Sequence, residues 1–162
     1  MRKTHEIVPG GRDLRHLAGY SVPLTASSLV LEIINDIELN RALAQSESQD
    51  RVGGDGVLRL IRQFVMDFER AGNRKADLLT QRPRLTGFRH IDAMVAGLVE
   101  HLAFHSGLKV PAWTREVERY TKLPWFGFQL GYELVHVHAM LRGPISLRNH
   151  GIFIDSSSFV NI

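Results

Sequence analysis

The stretch Arg89-His90-Ile91-Asp92-Ala93-Met94-Val95-Ala96-Gly97-Leu98-Val99-Glu100-His101-Leu102-Ala103-Phe104-His105-Ser106 decides the fold. Its apolar residues Ile91, Met94, Val95, Leu98, Val99 and Leu102 recur at steps of three and four, the mark of a buried helix face. Gly107 follows and suits the left-handed residue that closes a helix. Upstream, Leu29, Ile33 and Ile37 are four apart, with Val30 and Ile34 beside them and Glu32, Asp36 and Glu38 off the stripe. A helix is expected there, from Thr25 or Ser27 to about Ala44. Residues 46–54 read as a loop, and Asp55 as the N-cap of a second helix. That helix would bury Val57, Leu58, Ile61, Phe64, Val65 and Phe68 and stop at Gly72 and Asn73. A short helix is expected from Ala76 to Gln81, ended by Pro83. Downstream, Thr114 with Val117 begins another short helix. A further helix spans Gln129 to Leu141 and stops at Gly143-Pro144. One or two turns follow from Ile145 to Asn149. Only Gly151-Ile152-Phe153-Ile154-Asp155 reads as extended, and it is too short to suggest a sheet.

The fold class that follows is mainly α: one irregular bundle of about six helices, spanning residues 23–162. Residues 1–22 hold Pro9-Gly10-Gly11 and no apolar period, and read as a mobile arm. At 162 residues the chain is one domain with ample core. It has no cysteine, which excludes disulfides, a thiol nucleophile and Cys-ligated metal. No signal peptide and no run of about 20 apolar residues is seen, so a cytoplasmic protein off the membrane is expected.

The net charge of +3 hides a segregation. Residues 1–22 carry +2, residues 23–58 carry −4, residues 59–89 carry +5, and the remainder is balanced. The basic block is Arg59, Arg62, Arg70, Arg74, Arg82, Arg84 and Arg89, with Lys75. Arginine suits bidentate pairing with carboxylate or phosphate. Such a block either pairs with the acidic first helix or contacts nucleic-acid phosphates.

Catalytic signatures are missing. His101 and His105, at i and i+4, have the spacing of a helical metal pair, but Leu102 stands where a zinc protease has its glutamate. The plain alternative is that His101 is partly buried and satisfies a backbone group while the other histidines lie on the surface. His136 and His138, two apart, face different ways on a helix. The loop Gly53-Gly54-Asp55-Gly56 lacks the lysine and serine of a P-loop. No G-x-S-x-G elbow is present, and Ser156-Ser157-Ser158 reads as a cap or tail. A non-enzyme with no cofactor and no metal is the expectation.

The tryptophans carry the better clue. Trp113 follows Pro111-Ala112, and Trp125 follows Pro124, each in backbone expected to be irregular. Large aromatics there either plug the core or anchor a partner. Trp125-Phe126-Gly127-Phe128 places three aromatics in four residues, too many for all to face inward from one short segment.

From about Leu85 to Asp155 the chain resembles a family of uncharacterised actinobacterial-type helical domains. The resemblance rests on Glu100-His101-Leu102-Ala103, Pro111-Ala112-Trp113, Arg119-Tyr120, Pro124-Trp125-Phe126 and Arg148-Asn149-His150-Gly151-Ile152-Phe153-Ile154-Asp155. His150 stands where the family pattern has arginine. Such domains occur alone or behind a helix–turn–helix, often beside a nucleotidyltransferase-like toxin gene. The resemblance implies an antitoxin-like or regulatory partner role. The leading expectation is a protein that binds and neutralises such a toxin, with Trp113, Arg119, Trp125, Phe126 and Arg148 as contacts. The alternative is a DNA- or RNA-binding transcriptional regulator using Arg59, Arg62, Arg70, Arg74, Arg82, Arg84 and Arg89.

Overall fold

The computed structural model describes residues 22–46, 54–127 and 133–155. Six α-helices are found among them: α1 (Ala26–Ser46), α2 (Gly54–Arg70), α3 (Lys75–Thr80), α4 (Arg89–His105), α5 (Glu133–Arg142) and α6 (Ile145–Asn149). Two short strands, β1 (Trp125–Phe126) and β2 (Ile152–Phe153), complete the architecture. The expected arm (save Val22), the loop 47–53, Phe128 and the triple serine lie outside the described residues, as do the His136 and His138 side chains.

Helix α1 starts at a reciprocal cap. The Ser28 amide donates to Thr25 Oγ1 at 3.1 Å, and the Thr25 amide donates to Ser28 Oγ at 2.8 Å. Serine thus takes the place of the usual glutamate of a capping box. Leu29, Val30, Ile33, Ile34 and Ile37 are all buried, as their spacing indicates. Helix α2 returns antiparallel along α1. Leu24, just before α1, donates its amide to Asp67 Oδ2 near the end of α2, at 2.9 Å. That bond accounts for a buried carboxylate in an apolar stripe. Helix α2 begins at Gly54, so Asp55 lies inside it and is not the expected N-cap. Glycine is nearly as acceptable as aspartate at a helix start, which leaves the boundary poorly marked.

Helix α4 is the centre of the molecule. Every residue from Ile91 to Val99 is buried, not only the expected face. A helix covered on all sides must be apolar or small all round, and Ala93, Ala96 and Gly97 fill the positions between the large residues. Its end is a Schellman closure: the Leu108 amide donates to the Ala103 carbonyl at 2.8 Å and the Gly107 amide to Phe104 at 3.1 Å, with Gly107 at φ 65°. Gly97 lets α6 approach closely. A methyl group there would sit 2.9 Å from the Leu147 Cα and 3.0 Å from its Cδ2. Gly97→Ala is therefore expected to destabilise the fold by about 2 kcal/mol. Overpacking against backbone outweighs the helix propensity of about 1 kcal/mol that alanine gains. A urea midpoint at or above that of the parent would contradict this packing.

Between α4 and β1 the chain makes two 3₁₀ turns, Ala112–Arg115 and Val117–Arg119, where one short helix was expected. The Glu116 backbone between them is extended, at φ −68° and ψ 141°. Residues 152–153 do form a sheet, contrary to expectation. They pair in parallel with 125–126, in the register Trp125↔Ile152 and Phe126↔Phe153. The Trp125 amide donates to the Gly151 carbonyl at 2.8 Å. Gly151 sits at φ 80°, and any side chain there would strike Thr121. Two residues per strand would not hold alone. Ile152 and Ile154, both buried in the core, hold β2 in place.

Candidate functional site

The segment from Pro111 to Phe126 drapes over α4, and a buried polar network fixes it there. Arg119 lies fully buried. Its Nη2 donates to the Pro83 carbonyl at 2.6 Å, and its guanidinium lies 4.7 Å from the centre of the Trp113 ring. Glu116 Oε2 is 3.5 Å from Arg119 Nε, while Glu116 Oε1 accepts from Arg82 Nε at 2.6 Å. That bond to Arg82 holds the Glu116 carboxyl below its ordinary pKa. The Arg119 carbonyl accepts from His150 Nδ1 at 2.6 Å. A carbonyl only accepts, so Nδ1 carries the hydrogen. His150 Nε2 then faces Glu100 Oε2 at 3.3 Å, and Tyr120 stacks on the imidazole at 4.3 Å and 14°. Thr114 donates its hydroxyl to the other oxygen of Glu100 at 2.9 Å. Hydroxyl, carboxylate and imidazole thus stand in a row, but the hydroxyl is on the carboxylate and not on the imidazole. Thr114 thereby ties the draped segment to α4, His150 Nε2 is left without a hydrogen-bond partner among the described residues, and no nucleophile is activated.

On this base sits an aromatic surface. The turn Thr86-Gly87-Phe88 is set by Asp92, whose Oδ1 accepts from the Thr86 amide at 2.8 Å, and by Gly87 at φ 85°. Burial holds the Asp92 carboxyl above its ordinary pKa despite that bond. The turn places Phe88 edge-on to His90, 6.2 Å between ring centres, and His90 stacks on Trp125 at 4.8 Å and 23°. The Arg41 guanidinium of α1 lies 5.2 Å over Phe88. All three rings are half-buried, so each keeps an edge open. Leu123, just before β1, is 78% exposed.

Side chains alternate across a strand. Trp125 therefore points with Ile152 toward α4, while Phe126 stacks on Phe153 on the other face of the sheet, at 5.1 Å and 23°. The five residues expected to meet a partner are thus not one surface. Trp113, 5% exposed with its indole N–H donating to the Leu79 carbonyl at 3.1 Å, and Arg119 are interior. They have no surface to offer a partner. Trp125 and Phe126 are half open on opposite faces, and Arg148 Nη1 donates to the Met140 carbonyl at 2.9 Å.

The basic block divides too. Arg82 is engaged by Glu116, and Arg89 donates to the carbonyls of Tyr120 and Val117 at 2.7 and 3.0 Å. Arg59, Arg62 and Arg70 share the exposed side of α2 around Met66, and Arg74 and Arg84 are exposed on loops. Among the histidines expected at the surface, His150 is buried and His90 half-buried. His101 is buried as expected, but its ring meets His105, with centres 4.2 Å apart. Among the described residues no three metal-ligating side chains gather, and no helix is long and apolar enough to cross a membrane.

Burial, with a smaller contribution from His105, pushes the His101 imidazole down to about 4 from 6.5. The folded state therefore prefers the neutral ring, while the unfolded chain takes up a proton near the ordinary value. Stability is thus full above about pH 6.5 and falls as the pH drops toward 4, by about 2 kcal/mol once solvent screening of the partly open ring is allowed for. His90, shifted in the same direction by burial, adds to the trend. A His101→Asn variant should show a flatter stability profile between those limits. An unchanged profile would contradict the assignment to His101.

Phe88, His90, Arg41 and Phe153 were not apparent as site residues from sequence. The only available signal was Phe88 beside the start of the strongest helix. The class defined by fold and site is a helical domain with a braced, half-open aromatic face. No family model, curated protein or solved structure matches the chain.

Proposed function

We propose that this chain is a non-catalytic partner protein that docks on another protein through the Phe88–His90–Trp125 face. The observation that carries this reading is the partly exposed Trp125, stacked on His90 and two residues from the exposed Leu123. Aromatic anchors on rigid backing concentrate binding energy. The buried network beneath keeps this one rigid at little entropic cost on docking. The resemblance over residues 85–155 supports a nucleotidyltransferase-like toxin as the partner, neutralised by steric cover of its nucleotide or RNA site. Co-expression with the product of the adjacent gene tests this. Co-purification and restored growth are expected; elution alone with no rescue would overturn it.

A second reading rests on the exposed arginines of α2 and the following loops, Arg59, Arg62, Arg70, Arg74 and Arg84. It makes the chain a nucleic-acid-binding regulator whose affinity falls steeply with salt. A mobility shift on its own promoter at low salt would support it, and no shift would remove it.

A further inference from the structure

Basic groups outnumber acids around the aromatic face. Two loop segments build the face, residues 81–91 and 119–127, and neither contains an aspartate or glutamate. They carry Arg82, Arg84, Arg89, Arg119 and Lys122. Arg82 and Arg119 are matched by Glu116. Arg84, Arg89 and Lys122 remain exposed around the rings, and Arg41 adds a guanidinium at the Phe88 end. Two acids border these segments: Asp92 is buried against Thr86, and Glu118 is exposed beside Arg119 and acts on Arg82, which leaves the cations in excess. Exposed Leu85 and Leu123 lie on the same two loops.

We propose that the Arg41–Phe88–His90–Trp125 face receives an acidic, leucine- or phenylalanine-bearing segment of the partner protein. This rests on the docking reading above. Apolar side chains of the segment meet the ring edges and Leu123, and its carboxylates meet the surrounding cations. Electrostatic complementarity of this kind sets the encounter rate and the choice of partner more than raw affinity. Exposed Leu85 and Leu123, each next in sequence to a cation of the face, favour a peptide over a nucleic acid, which has no aliphatic side chains to meet them.

The test is selection of a random peptide display library on the immobilised full chain, with a single-stranded oligonucleotide pool as the parallel probe. Peptides rich in aspartate or glutamate with leucine or phenylalanine are expected. The paired reversal Arg41→Glu and Lys122→Glu should weaken them about tenfold, with the melting temperature held. Neutral apolar peptides that need Trp125 but ignore the reversal would overturn the acidic occupant and leave the docking reading standing. An oligonucleotide whose binding depends on Trp125 would replace the peptide by a nucleic acid. No ligand of either kind would overturn both.

Discussion

Replacing Arg119 by alanine is expected to lower the unfolding free energy by about 3–5 kcal/mol, the range for truncating a large, fully buried side chain. The side chain is fully buried and bridges three segments: the Pro83 carbonyl before α4, the Trp113 ring on the draped turns, and Glu116. Without it, the Pro83 carbonyl loses its buried donor, Glu116 loses one of its two ion-pair partners, and Trp113 loses a desolvated cation. Arg119→Lys should recover little, because an ammonium on a flexible stem lacks the flat guanidinium that lies against Trp113 while reaching the Pro83 carbonyl. Chemical denaturation reads the effect. A loss below about 1 kcal/mol would place this guanidinium in the class of surface ion pairs.

Trp125→Ala is expected to weaken the complex by about 2–4 kcal/mol, the cost of truncating a central aromatic anchor. The fold should lose about 2 kcal/mol, less than a core tryptophan would cost, because the indole is partly exposed while it packs against the core. The two effects separate in titration with the partner on a sample whose melting curve is measured. Trp125→Phe should restore most of the binding, since it keeps a ring against His90. An alanine variant that binds like the parent would dismiss the aromatic face as the docking site.

The helices were legible because their stripes are local. Every apolar residue assigned to the buried face of α4 is buried, and the Gly107 closure holds. What sequence missed is what depends on distant partners. The parallel pairing of Trp125 with Ile152 leaves no periodic trace in either strand, so 151–155 read as a lone extended tail. His150 looked like a loop residue of the surface. Its burial depends on the Arg119 carbonyl and Glu100, about 30 and 50 positions away in the chain. The expected contact set erred for a related reason. Trp113 and Arg119 stand out in sequence, and they stand out because the core needs them.

The joining of β1 to β2 sets an order of events during synthesis. Trp125 takes its place only when its amide meets the Gly151 carbonyl and Ile152 is seated beside it. On the docking reading, the face is complete only once residues 151–153 have closed back across the intervening helices, a late and non-local step.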